Sequence, residues 1–362
     1  MEKVQLKNVC RPKQWKTLTG KNLVPDGKYP VYGANGIIGY YNDYNHENET
    51  LMIGCRGTCG ALNISQPFSY INGNAMALDD LVDDIDIRYL YYALMGRGFQ
   101  DVISGAVQPQ IIRADLEKME VWIGNKKEQK EIVDVFNKLD TVLSHRKREI
   151  QYLDDLIKAR FVEMFGDNQE VHKLSDIAAI TGGLTKNSRR DKLELRKPYL
   201  RVANVFFASI DTTEILDIGL TKEEYEKTLL RNGDLLFVEG NGSPDQIGRV
   251  AIWNGEIEDC VHQNHLIKAR FDLKRMNPVF AMYYFISERG RNQIKKRAVS
   301  TSGLYTLSVS KIADFEIPNP PMELQQQFAA FVTAIDKSKA TVQKALDETQ
   351  LLFDSLMQQY FG

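Results

Sequence analysis

Cysteine is scarce. Cys10, Cys55, Cys59 and Cys260 are four thiols in 362 residues, too few for a disulfide framework, and a reducing compartment keeps such thiols free. Long apolar runs are missing as well: no stretch reaches the roughly 18 apolar residues of a membrane span. The opening Met1-Glu2-Lys3-Val4-Gln5-Leu6 lacks the apolar core of a signal peptide, so the expected location is cytoplasmic. No Gly-Lys-Ser/Thr phosphate loop occurs. The triplets Gly33, Gly36, Gly39 and Gly54, Gly57, Gly60 have the wrong spacing for a dinucleotide loop and read as turn glycines. Cys55 and Cys59 stand far from Cys260, His262 and His265, so no tetrahedral metal set is expected. Charge of one sign is lacking too. The formal net charge is −2, from 46 Lys+Arg against 48 Asp+Glu, which argues against coating DNA by bulk electrostatics and leaves room only for local phosphate clamps.

What is present is a repeat. Residues 116–166 align with 312–362 at a constant offset of 196, pairing Glu120 with Glu316, Gln129 with Gln325 and Phe165-Gly166 with Phe361-Gly362. A second block aligns at an offset of 192, where Tyr91-Tyr92 and Arg97-Gly98 match Tyr283-Tyr284 and Arg289-Gly290. The chain is therefore expected to be two copies of one unit.

The last forty residues of each copy are expected to be helical, because apolar residues recur at spacings of four and three. The first seam is Ile132, Phe136, Leu139, Leu143, Ile150, Leu153, Ile157 and Met164, interrupted by Arg146 and Arg160. The second is Phe328, Val332, Ile335, Val342, Leu346, Phe353, Leu356 and Tyr360, interrupted by Lys339 and Thr349. Asn125 with Glu128, a capping-box pair, marks one start, and Asn319 before Pro320 marks the other. Forty helical residues span about 60 Å at 1.5 Å per residue. Ahead of each helix the chain reads as strands and turns, including Lys28 to Tyr40, Leu51 to Gly54, Asp234 to Val238 and Arg249 to Trp253.

The expected fold is α+β: two similar globular domains separated by two long helices that pair as an antiparallel coiled coil, with a pseudo-twofold internal repeat. Boundaries fall at 1–124 (first domain), 125–167 (first helix), 168–318 (second domain) and 319–362 (second helix).

In this order the segments resemble the specificity subunit of type I restriction–modification enzymes. Tyr29-Pro30-Val31-Tyr32-Gly33-Ala34-Asn35-Gly36-Ile37-Ile38-Gly39, Gly233-Asp234-Leu235-Leu236, Gln263-Asn264-His265 and Glu316-Ile317-Pro318-Asn319-Pro320-Pro321-Met322-Glu323-Leu324-Gln325 carry the resemblance. The first junction, Ile123-Gly124-Asn125-Lys126-Lys127-Glu128-Gln129, departs from it by lacking the prolines. The resemblance implies that each globular part is a target-recognition domain reading one half of a split asymmetric site on double-stranded DNA. It implies that the helices set the spacing and dock two modification subunits. S-adenosylmethionine is expected on those partners and no cofactor on this chain; motor–nuclease subunits would cleave. Asn319-Pro320-Pro321-Met322 comes near an amino-methyltransferase motif, but Met322 is not aromatic and no cofactor loop precedes it. The chain is read as non-catalytic. The rival reading is a scaffold with duplicated ligand-binding domains on a helical spacer.

Candidate DNA contacts lie in or beside the expected loops. Arg56, Arg189, Arg190, Arg201, Arg249 and Arg297 can fork onto guanine or hold phosphates. Asn35, Asn204, Asn241, Gln246, Gln263 and Asn264 can form paired hydrogen bonds with adenine. Gly36 allows close backbone approach, and Tyr32 and Tyr305 flank the loops.

Overall fold

A computed structural model describes residues 1–105, 107–166, 170–301 and 303–362; the boundary expected between residues 167 and 168 lies outside them. The chain divides into two compact units, Met1–Glu149 with Val342–Gly362, and Ile150–Thr341. This partition differs from the expected one. Each long helix is cut in two, and each unit owns a stretch of both.

Unit 1 holds a four-stranded sheet in the order Arg11–Gln14, Ala75–Asp79, Leu51–Gly54, Leu62–Ile64, and a three-stranded sheet in the order Gly36–Tyr41, Tyr29–Gly33, Tyr70–Ile71. The strand Glu2–Gln5 pairs with Glu120–Ile123 beside them. Unit 2 repeats the plan. Its four-stranded sheet runs Ala178–Gly182, Leu266–Phe271, Asp234–Val238, Val250–Trp253, and its three-stranded sheet Leu216–Gly219, Arg196–Leu200, Val261–His262. In both three-stranded sheets the last pairing is parallel. Identical strand order on such divergent sequence follows from the apolar pattern: Leu51, Met52, Ile53 and Leu235, Leu236, Phe237 are fully buried central strands.

The first long helix covers Lys126–Met164 and the second Met322–Phe361. Asn125 and Glu128 form the expected capping box, with Glu128 N–H donating to Asn125 Oδ1 at 3.0 Å and Asn125 N–H to Glu128 Oε2 at 2.8 Å. The second helix begins after Pro320-Pro321, later than Asn319. Within unit 1, Phe136 packs on Phe353 and Phe361 while Arg146 donates to Ala345 O and Thr349 Oγ1. The two stretches therefore run antiparallel. Within unit 2, Lys339 meets Asp154, and Phe161 and Phe165 pack on Phe328, again antiparallel. The breaks in the seam thus have partners: Arg146 answers Thr349, and Lys339 answers Asp154.

Gln129 and Gln325, the pair found at offset 196, are buried and do the same job in each unit. Gln129 donates to Gly124 O and Asp84 O and accepts from Asp86 N–H; Gln325 donates to Pro320 O and accepts from Asn277 N–H. Asp86 and Asn277 cap the helices Ile87–Arg97 and Pro278–Ile286, so each glutamine fastens the start of a long helix to the start of a domain helix. Helix is more abundant than the sequence suggested: Arg113–Lys118, Lys222–Thr228, Glu288–Arg297 and Val309–Ala313 are also helical.

Candidate nucleic-acid interface

In unit 1 three loops meet at one end of the four-stranded sheet. They are the turn Ala34-Asn35, the loop after Leu51–Gly54, and the segment ending at Gln110. Gly54 permits the meeting, because a Cβ there would stand 2.6 Å from Ala34 O and 2.3 Å from Thr58 O. Gly57 and Gly60, at φ +77° and +82°, bend the loop through the left-handed region. Arg56 bridges to Gln110, and Ile111 N–H donates to Cys55 O at 3.0 Å. The rim so built presents Asn35, Gly36 and Arg56. The side chains of Asn35 and Arg56 are exposed and have no hydrogen-bond partner among the described residues. A guanidinium and a carboxamide left open on one rim can take a base edge or a phosphate.

Unit 2 builds its rim from more segments. Gly183 lets two of them touch, since a Cβ there would lie 2.1 Å from His262 O. Leu184 N–H donates to His262 O, Asn264 N–H to Leu184 O, and Gln263 N–H to Leu200 O, at 2.8, 2.9 and 2.9 Å. Gln263 Oε1 accepts from Val202 N–H at 3.3 Å, and Glu239 N–H donates to His265 O at 2.9 Å. Asn241 sits opposite Tyr305 across a strand pair, and its Oδ1 accepts from Ser243 N–H. Arg249 reaches Val202 O at 3.4 Å and Gln246 Oε1 at 3.5 Å, while its Nε is buried without a partner. Arg201 contacts Glu214 at 3.2 Å and also has a buried, unpartnered Nε. The fold therefore brings Arg201, Asn241, Gln246, Arg249, Gln263, Asn264 and Tyr305 into one neighbourhood, with the Asn264 side chain free among the described residues.

Several expected contacts are taken up by the fold itself. Tyr32 is buried in the core, and its hydroxyl accepts from Gln66 N–H at 3.2 Å. Asn204 is buried and closes its loop by donating to Asp211 O and Glu214 O. Arg190 forks onto Glu224 at 2.8 and 2.9 Å and donates to Thr185 O and Gly219 O, and this guanidinium holds the Glu224 carboxyl down to about 2. Arg297 donates to Asp314 O and lies over the Phe315 ring. In this structure these four side chains brace the fold. Arg189 is exposed on the short helical turn Ser188–Lys192. Sequence reasoning missed Arg291, which donates to Gly248 O and Asp245 O at 3.1 Å each and so pins the loop bearing Gln246; no spacing signal distinguishes it from its neighbours.

Burial pushes the thiols of Cys10 and Cys260 up to about 12, which leaves neither a thiolate at neutral pH. Among the described residues no group of His, Cys, Asp and Glu is placed to hold a metal ion, and no helix is long and apolar enough to cross a membrane.

Two buried bases lie beneath the unit 2 rim. Burial, with Lys268 adding to it, lowers His262 from 6.5 to about 4, which leaves it neutral at pH 7; its Nδ1–H donates to Thr228 O at 2.9 Å. Burial likewise lowers Lys268 from 10.5 to about 8, with the ammonium donating to Lys227 O and Leu229 O. A base with a depressed folded pKa binds fewer protons than the unfolded chain, so stability rises with pH across the interval between the two values. Unit 2 should therefore lose stability as pH falls from 6.5 to about 4 and gain it from about 8 to 10.5. Each interval is worth up to about 3 kcal/mol. Urea unfolding across pH checks this: Lys268→Met should flatten the alkaline rise, and a rise that persists in that variant contradicts the assignment.

A family model described as the type I restriction modification DNA specificity domain matches residues 1–152 and again 166–349. The chain is 27% identical over 215 residues to a putative type I restriction enzyme MjaX specificity subunit of Methanocaldococcus jannaschii, a match covering 58% of this chain and 49% of that protein. It is 24% identical over 341 residues to the MjaIX specificity subunit of the same organism, covering 85% and 76%. The match thus spans about half the length of the first relative. Among solved structures, the type I restriction–modification S subunit from M. genitalium superposes with a TM-score of 0.61 at 18% identity, over 100% of this chain and 96% of that one.

Proposed function

Since the chain belongs to the type I restriction modification DNA specificity family, we propose that it is the DNA-reading subunit of such a system, each unit reading one half of a split asymmetric site. The observation that carries this is the repeated sheet order, with a loop rim in each unit that bears arginine and amide side chains, Asn35 and Arg56 in one and Arg249, Gln263 and Asn264 in the other. A net charge of −2 suits a reader that relies on a few local contacts while partners supply further binding surface. Methyl transfer then belongs to modification subunits carrying S-adenosylmethionine, cleavage to motor–nuclease subunits, and spacing to the long helices.

Two modification subunits are proposed, and a repeated feature supports the number. Leu156 and Leu352, related by the offset of 196, are 46% and 50% exposed at equivalent points of the two long helices, so each half offers the same apolar point to a partner. Native mass spectrometry of the co-expressed complex should show two modification subunits per chain. Leu156→Arg and Leu352→Arg should each remove one, and the double variant both; two bound subunits in either single variant contradict the proposal.

A further inference from the structure

The repeat extends to a feature that base reading does not need. At an offset of 169, Ala34-Asn35-Gly36-Ile37-Ile38 aligns with Ala203-Asn204-Val205-Phe206-Phe207. In both units the segment follows the strand that pairs in parallel, Tyr29–Gly33 or Arg196–Leu200. All four bulky residues face solvent: Ile37 46%, Ile38 47%, Phe206 43% and Phe207 36%. Neighbouring apolar residues left open in one unit would be unremarkable; the same pair left open in both, on divergent sequence, calls for an occupant.

We propose that each pair is an apolar wedge that enters the DNA at a base step in or beside the half-site its unit reads, partly unstacking it. The proposal rests on the DNA-reading function above. Position and charge favour DNA as the occupant. Ile37 is two residues along the chain from Asn35, which stands on the unit 1 rim. In unit 2 the Arg249 guanidinium lies 5.5 Å from the Phe206 ring and the Arg291 guanidinium 5.0 Å from the Phe207 ring. Arg249 also touches Gln246 and Val202 O and has the unpartnered Nε. Cations immediately behind apolar side chains match a base step flanked by phosphates. The turn is firmly presented: Phe206 N–H donates to Ser209 O and Ala208 N–H to Val250 O, both at 2.9 Å, and Ala208 is held at φ +55°, a region that L side chains rarely adopt. Ile38 is seated over Gly33, where a Cβ would come within 2.7 Å of its Cγ2.

The test uses the complex with its modification subunits and a duplex carrying its own split site, with 2-aminopurine placed in turn at each step in and around both halves. Fluorescence should rise at one step per half-site. Ile37→Ala/Ile38→Ala should abolish the rise in one half only, Phe206→Ala/Phe207→Ala in the other, each weakening binding about tenfold. The signal from a base flipped out for methylation should persist in both variants and shows that they are folded and assembled. Specific binding without a wedge-dependent rise overturns the wedge alone. Variants that keep the rise but lose a modification subunit overturn it in favour of a protein contact. A wild-type complex that binds no DNA specifically removes the reading on which the wedge rests, and the wedge with it.

Discussion

Adding one heptad to each long helix, after Glu149 and after Thr341, will lengthen the unread stretch between the half-sites while leaving the half-site bases unchanged. These points are where the chain divides into its two units, so every contact inside either unit survives, including Arg146 with Thr349 and Asp154 with Lys339. Seven residues preserve the apolar seam, whereas two or five would turn it away from its partner. The added rise is about 10 Å at 1.5 Å per residue, or roughly three base pairs where a turn of about ten pairs covers 34 Å. Three pairs also rotate the far half-site by roughly 100° about the duplex, so methylation should fall well below wild type unless DNA or helices twist to compensate. Methylome sequencing of the variant reads both quantities. An unchanged spacer in a fully active complex would show that the helices do not set the distance.

The large-scale plan was legible because it is written in periodicity. Offsets of 196 and 192 declare a duplication, the seam declares two long helices, and Asn125 with Glu128 declares where one begins. Other features depend on neighbours that sequence does not name. Arg97-Gly98 and Arg289-Gly290 align, yet Gly98 at φ +71° ends its helix, while Gly290 lies inside Glu288–Arg297, where a Cβ would stand 2.2 Å from Tyr284 O. The same dipeptide stops one helix and continues another. Site residues are hard to read for a related reason: the groups that grip bases also close turns. Asn204 and Arg190 have the right chemistry for DNA, but nearby carbonyls and Glu224 already satisfy it; Asn35 and Arg56 have the same chemistry and lack such neighbours. Ile37-Ile38 falls in an expected strand, and only the tertiary fold shows that this pair, like Phe206-Phe207, is left partly exposed.

Removing the open groups from one rim should disable one half of the recognised site and spare the other. A paired side chain–base contact is worth about 1–3 kcal/mol of discrimination, so Asn35→Ala/Arg56→Ala should weaken methylation at the wild-type motif by roughly a hundredfold or more if both contacts are lost. Both side chains are exposed and unpartnered among the described residues, and the fold should be unaffected. Asn264→Ala, whose side chain is also unpartnered, should act in the same sense on the other half, by about tenfold. The most direct measurement is the methylome of a methylation-free host expressing the modification subunits with the wild-type chain, with Asn35→Ala/Arg56→Ala, or with Asn264→Ala. The account predicts a split motif for the wild type, relaxed or lost at one half in the first variant and at the opposite half in the second. Methylation of the intact motif at wild-type levels in both variants, or loss of the same half in both, would contradict the claim that each unit reads its own half of the site.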